Sequence, residues 1–262
     1  MLKPLAKLWS CRAIFGRAVV GDIRSMYAGT AFGLAWLAIG PILLLTLYTF
    51  IYAVIFRVRV PNFTIEEYII NVFAGLVPFL AFAQGLGASS TAMQRSAKLL
   101  ANANFLPELI PLKAVAVAYA MLPVGLIITF VGDVTLSTIS ATWFLVPVVA
   151  VLQIMFSMGI ALFLSVISLV FRDVQILVQY IVIALLVVTP IAYTPDMIPQ
   201  GMLALLYVNP LFYYVFSYQN LILLNALPPV DVMVLGTIAS FGTFGAGLWF
   251  FQKARMVLGD LI

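Results

Sequence analysis

The chain has 262 residues, 65% of them hydrophobic and 8% charged, with a net charge of +4. A soluble domain carries about 25% charged residues, so this composition excludes a water-soluble globule and indicates an integral membrane protein. One cysteine, Cys11, and no histidine exclude disulfide frameworks, Cys/His metal sites and any Ser-His or Cys-His catalytic pair. The apolar runs are long and continuous, which points to membrane helices rather than a β-barrel.

Residues 1–30 are basic and broken by Lys3, Lys7, Arg12, Arg17, Asp22 and Arg24. No cleavable signal peptide is expected from that pattern. With Leu5, Leu8, Trp9, Ile14 and Phe15 among the charges, it fits an amphipathic helix at a membrane surface. A basic tail that only sets topology fits it equally. The first predicted span is 34–56, kinked at Gly40-Pro41. A short loop follows, whose Asn62-Phe63-Thr64 sequon is a chance-level match. The second span is 68–90, with Pro78 inside it and Gly85 and Gly87 near its end.

Residues 91–113 then form a polar island among apolar segments. Thr91 and Gln94 have capping-box spacing, and Pro107 and Pro111 interrupt any simple continuation into the next span. The pattern predicts a short, separately capped helix beneath the membrane; a plain polar loop whose cations set topology is the other reading. The third span is 114–131 with Pro123 inside it, and Gly132 to Thr142 reads as a turn carrying Asp133. Spans 143–171 and 174–194 are separated only by the turn Arg172-Asp173. Residues 197–230 carry no charge, yet Pro199, Asn209-Pro210 and Pro228-Pro229 break them. That fits a re-entrant segment better than a span. The last span is 232–251, followed by Lys253 and Arg255.

Six spans place both termini and the 91–113 loop on one face. That face then holds Lys3, Lys7, Arg12, Arg17, Arg24, Arg95, Lys98, Lys113, Arg172, Lys253 and Arg255, against Arg57 and Arg59 on the other. By the positive-inside rule the first face is cytoplasmic, and the 197–230 segment lies on the far side. No ionisable residue is expected well inside a span, which disfavours proton relays and ion-coupled carriers. No Walker A pattern is present, so any uphill transport draws its energy from another chain. Gly85-Leu86-Gly87 and the pair Gly242/Ala246 are predicted small-residue packing points. The aromatics Tyr48, Tyr52 and Phe56 share one face of the first span, Phe79 and Phe82 one face of the second, and Tyr119 and Tyr193 lie further on. They are either packing and interface-belt residues or a lining along which sugar rings slide.

In order along the chain, Asp22-Ile23-Arg24-Ser25-Met26-Tyr27, Phe32-Gly33-Leu34-Ala35-Trp36, Gly40-Pro41, Gly75-Leu76-Val77-Pro78-Phe79, Asn104 to Pro111, Phe171-Arg172-Asp173, Pro190-Ile191-Ala192-Tyr193 and Asn209-Pro210-Leu211 resemble the permease subunit of type-2 ABC exporters of polysaccharides. One departure is Leu106, which stands before Pro107 where the family often has a basic residue. The resemblance implies a homodimer, two copies of a separate cytoplasmic ATPase that binds the ATP and Mg, and export of a lipid-linked polysaccharide such as O antigen, capsule or teichoic acid. No cofactor is implied in this chain. It further implies that the loop docks on the ATPase as a coupling helix, with Gln94, Arg95, Lys98, Asn102, Leu106 and Glu108 as its residues. The interface helix would carry Arg17, Asp22, Arg24 and Tyr27 close to the lipid head group. Spans one, two and five would line the conduit.

The resulting expectation is an all-α membrane protein of six transmembrane helices. It carries an N-terminal interface helix, a coupling helix and a re-entrant segment, and sits in a bacterial cytoplasmic membrane. Its aromatic lining is Tyr48, Tyr52, Phe56, Phe79, Phe82, Tyr119 and Tyr193, and its cytoplasmic turn is Arg172 and Asp173. A drug or lipid exporter permease, or a membrane enzyme acting on lipid-linked sugars through Asp22 and Asp173, remain the alternatives. Nucleic acid is not an expected partner.

Overall fold

Thr64 begins the helix on which the rest of the protein is assembled. Its hydroxyl accepts from the Glu67 amide at 3.2 Å, and the Glu67 carboxylate accepts from the Thr64 amide at 2.7 Å. This reciprocal capping box satisfies two otherwise orphaned donors, and the helix then runs unbroken from Ile65 to Arg95. At 1.5 Å per residue it is about 46 Å long, well beyond a hydrocarbon core of about 30 Å. The computed structural model describes residues 11–55, 63–96, 106–136, 140–199, 201 and 203–258. The predicted site residues Phe56, Lys98 and Asn102, the Tyr52 side chain, and residues 1–10 of the predicted interface helix lie outside the described residues.

In chain order the helices are α1 (Arg12–Met26), α2 (Trp36–Thr49), α3 (Ile65–Arg95), α4 (Leu109–Ala118), α5 (Met121–Leu136), α6 (Val146–Val170), α7 (Val174–Val188), α8 (Leu203–Val208), α9 (Pro210–Ile222) and α10 (Val230–Leu258). Short 3-10 turns lead into α2 and α6, and α2 continues as a π-helical turn, Phe50–Ile55. No strand occurs among the described residues. Among the described residues, four helical stretches are long and apolar enough to cross a membrane: Ile65–Arg95, Leu109–Leu136, Ala141–Val170 and Val230–Arg255. Gly33–Thr49 and Val174–Val188 are shorter apolar helices.

The break between α4 and α5 follows from Pro123, which has no amide proton to donate to the carbonyl of Tyr119, four residues earlier. The chain turns at Tyr119 and Ala120 instead, with the Leu122 amide donating to the Tyr119 carbonyl at 3.1 Å. Helix α3 is buried along most of its length and packs against α2, α4, α5, α6, α7 and α9. Helices α6 and α10 form the most extensive pair. They touch backbone to backbone: a Cβ on Gly159 would lie 2.5 Å from the Thr243 carbonyl oxygen, and one on Gly247 would meet the Gly159 carbonyl. Only glycine permits that approach. The predicted packing pair on this helix is thereby corrected. Gly242 has nothing within contact distance of an added Cβ, and Ala246 is exposed.

Helix α9 is the best-buried short element, covered over nearly all its length. Pro210 sits at its first turn, where no donor is needed. Asn209 caps it by accepting from the Leu211 amide at 3.0 Å while donating to the Thr189 hydroxyl at 2.8 Å. Gln219 on α9 donates to the carbonyls of Pro190 and Ile191 at 3.1 and 3.3 Å, and Tyr68 donates to Ala192 at 2.9 Å. These bonds satisfy the carbonyls freed where the chain leaves α7 at Pro190.

Three expectations are overturned at this level. Residues 91–95 do not begin a separate helix: Thr91 donates to the Ala88 carbonyl at 3.2 Å inside α3, so the capping-box reading fails because the preceding helix continues to Arg95. The helix of the predicted third span starts at Leu109, ahead of residue 114, because Pro111 falls in the first turn of α4, where proline is tolerated. Asp133 belongs to α5 rather than to a turn, is fully buried, and accepts from the Trp143 indole at 2.9 Å.

Candidate functional site

The antiparallel run of α3, α4–α5, α6, α7 and α10 gathers Arg95, Lys113, Arg172, Lys253 and Arg255 at one end of the bundle. Helix α1 lies against α4 at that end. It exposes Arg17 and Arg24 together with Ile14, Val20 and Met26, as a helix at a lipid–water boundary does. Its contact is fixed by Asp22, whose carboxylate lies 2.6 Å from the Lys113 ammonium. Asp22 therefore pairs across to α4 and not with Arg24, its near neighbour in sequence.

Beneath this pair lies a cavity of about 560 Å³ between α1, the end of α3, and α4. Asp22, Ser25 and Tyr27 line it from α1, Gln84 and Arg95 from α3, and Lys113 from α4. Its size falls within the range of small-molecule sites, about 300–1,000 Å³. Partial burial raises the Tyr27 pKa above the ordinary tyrosine value, so its phenol is neutral and available as a donor. Two cations beside one carboxylate leave the mouth net positive. Arg95 also stands in the last turn of α3, where the helix dipole favours a cation.

A second cavity of about 330 Å³ opens between the same end of α3 and the start of α7. Gln94 organises the elements around it. Its amide donates to the Ser168 carbonyl on α6 at 2.9 Å and accepts from the Gln175 amide on α7 at 2.7 Å. Gln94 is exposed and ties three helices together. Glu108 is buried: it stands at the start of α4 with 6% of its surface exposed, and its Oε1 accepts from Arg255 of α10 at 3.3 Å. Its Oε2 is buried without a hydrogen-bond partner among the described residues. Glu108, expected among the residues that meet a partner, is thus buried against the end of α10 in this chain. Leu106 is half-buried, and its carbonyl accepts from the Leu109 amide at 3.0 Å, turning the chain into α4.

Arg172 and Asp173 are exposed in the turn between α6 and α7, and no ion pair joins them among the described residues. The aromatic set divides. Phe79 and Phe82 are each 1% exposed, and Phe82 stacks on Phe156 with centroids 6.0 Å apart. Tyr119 is 4% exposed, its hydroxyl 2.6 Å from that of Ser157. These three are buried in the protomer's interior in this conformation. Tyr48 and Tyr193 are half-buried, and Tyr193 donates to the Val188 carbonyl at 2.6 Å.

Sequence reasoning missed the Asp22–Lys113 and Glu108–Arg255 pairs, because each joins residues distant along the chain. It also passed over Gln84, Gln175 and Gln179. A signal was present: Gln84, Thr91 and Arg95 recur at helical spacing on α3, and Gln175 and Gln179 lie one turn apart on α7.

Apolar spanning helices around a polar, net-positive mouth define a multi-pass helical membrane transport subunit. The chain belongs to the ABC-2 type transporter family, whose profile matches residues 15–223. It is similar to two proteins of Klebsiella pneumoniae named O-antigen export system permease protein RfbA, with 28% and 29% identity over 245 residues, covering 92% of each chain. It is also similar to the Myxococcus xanthus protein of the same name, with 24% identity over an alignment that covers both chains in full.

Proposed function

We propose that this chain is the membrane subunit of an ATP-driven exporter that moves a lipid-linked polysaccharide across a bacterial cytoplasmic membrane. The observation that carries the reading is the net-positive cavity between α1 and α4. It places two cations, a neutral phenol and hydroxyls where an interfacial helix meets the spans, the chemistry that holds a phosphate-bearing lipid head group. Family membership supports a partner ATPase, and the names of the three relatives support a polysaccharide cargo.

On this reading the protein works as a homodimer with two cytoplasmic ATPase subunits. It has six spans, counting the shorter apolar helices α2 and α7, and both termini are cytoplasmic. Helices α8 and α9 form the re-entrant segment at the outer side. ATP and Mg are bound by the partner. The loop between α3 and α4 docks on the ATPase with Lys98 and Asn102. Arg95, Gln94 and Glu108, at its two roots, carry its movement into α3, α7 and α10. The aromatic contribution to the conduit comes from the first span and the outer break, at Tyr48 and Tyr193.

The test is deletion of the gene, followed by fractionation of cells into surface and cytoplasmic polymer. Lipid-linked polymer accumulating on the inner face, with surface glycan restored by the intact gene, is the expected result. Unchanged surface polysaccharide in the deletion strain would refute the assignment.

A further inference from the structure

The two cavities at the charged end are adjacent: Arg95 and Ala88 line both. Their chemistry differs. The larger one has paired cations and a net positive balance. The smaller one holds Arg95 at its edge, while Ser90, Thr91, Gln175 and Gln179 provide the rest of its polar lining. Two hydroxyls that accept and two amides that both donate and accept suit hydroxyl groups, which also do both, far better than they suit an anion.

Ser90 and Thr91 already spend their protons on the Gly87 and Ala88 carbonyls, at 2.8 and 3.2 Å. Their lone pairs remain free to accept. Gln175 is held by Gln94 at 2.7 Å, which orders it before any ligand arrives. Gln179 is exposed one turn further along α7. Gly87 clears the floor: an added Cβ there meets nothing within 4 Å.

We propose that this second cavity is a sugar-binding subsite that takes the ring next to the phosphate of the lipid-linked cargo, with Arg95 shared between phosphate and sugar. The inference rests on the export function proposed above and extends it: the permease itself reads the reducing end of the glycan, through Gln175, Gln179, Ser90 and Thr91.

The test uses the complex of this chain with its partner ATPase, reconstituted in lipid nanodiscs. The readout is ATPase stimulation by two probes, a bare polyprenyl phosphate and the same lipid phosphate carrying one N-acetylhexosamine. In the unaltered complex the glycosylated probe half-saturates at a concentration about tenfold lower, the equivalent of one to two net hydrogen bonds. In Gln179→Leu, and separately in Gly87→Leu, which fills the cavity, that ratio falls to about one. A ratio unchanged in both variants overturns the subsite. Equal half-saturation by the two probes in the unaltered complex overturns it as well. Absence of stimulation by either probe in the unaltered complex instead overturns the export reading on which it rests.

Discussion

Replacing Gly159 with alanine tests the contact that sets the spacing of α6 and α10. The new methyl carbon would lie 2.5 Å from the Thr243 carbonyl oxygen and 2.6 Å from the Phe244 amide nitrogen. All of these obstacles are backbone, so no rotamer change relieves them. Restoring ordinary contact requires the helices to part by close to 1 Å along much of their shared length. Such overpacking costs about 1–3 kcal/mol. Alanine returns up to about 1 kcal/mol through helix propensity, so the net expectation is destabilisation of about 1–2 kcal/mol. Gly245→Ala is the control on α10. It meets nothing within 4 Å, and the same propensity term makes it neutral or slightly stabilising. Thermal unfolding of both variants in one detergent, followed by fluorescence-detected size exclusion, gives the comparison. Equal midpoints for Gly159→Ala and Gly245→Ala would show that the helices are not in backbone contact.

Phe82→Ala removes a fully buried ring from the interior, at a cost of about 3–5 kcal/mol. Membrane abundance should therefore fall along with export, and normal abundance with defective export would return Phe82 to the conduit wall. Glu108→Ala strands a half-exposed Arg255 and empties the buried carboxylate site. It should lower stability by about 1–2 kcal/mol, between the surface and buried limits for ion pairs. The exchange Glu108→Arg with Arg255→Glu should recover part of that loss, and a double variant no better than the worse single one would count against a direct pair. Arg95→Glu combined with Lys98→Glu should abolish export while leaving membrane insertion intact, read by surface glycan and membrane fractionation. Retained export and retained ATPase co-purification would refute the role assigned to this end of α3.

Long apolar runs made the helices legible. The failures share a physical origin. Thr91 and Gln94 have the spacing of a capping box, but spacing carries no information about whether the preceding helix has ended, and here burial of α3 through Met93 carries it onward. The aromatics on α3 show a helical stripe, and a stripe looks the same whether it faces a core or a channel. Only the packing of Phe156 against Phe82 decides it. The Glu108–Arg255 pair joins residues 147 positions apart, and no local pattern encodes a contact of that range. Small-residue spacing likewise pointed to Gly242 on the right helix but the wrong face, whereas Gly247 is the residue that meets α6.

The polarity of α7 bears on where the transported molecule passes. This helix buries only Val178 among its own residues, and Ile176, Leu177, Ile183 and Val187 stay exposed. Exposed apolar side chains on a membrane helix require nothing more than lipid. Gln175 and Gln179 do not fit that surrounding, because a primary amide facing hydrocarbon forfeits hydrogen bonds worth several kcal/mol. Ile183 and Val187 continue the same i, i+4 row as Gln175 and Gln179, so the polarity of α7 changes along its length, from an amide-bearing start to an aliphatic remainder. The amide pair begins at the Gln94 bridge and borders the cavity that shares Arg95 with the larger one. On the proposed function, a substrate held at Lys113 and Arg95 has its next polar contacts at Gln175 and Gln179, which favours a conduit that starts between α3 and α7 over one among the buried aromatics of the core.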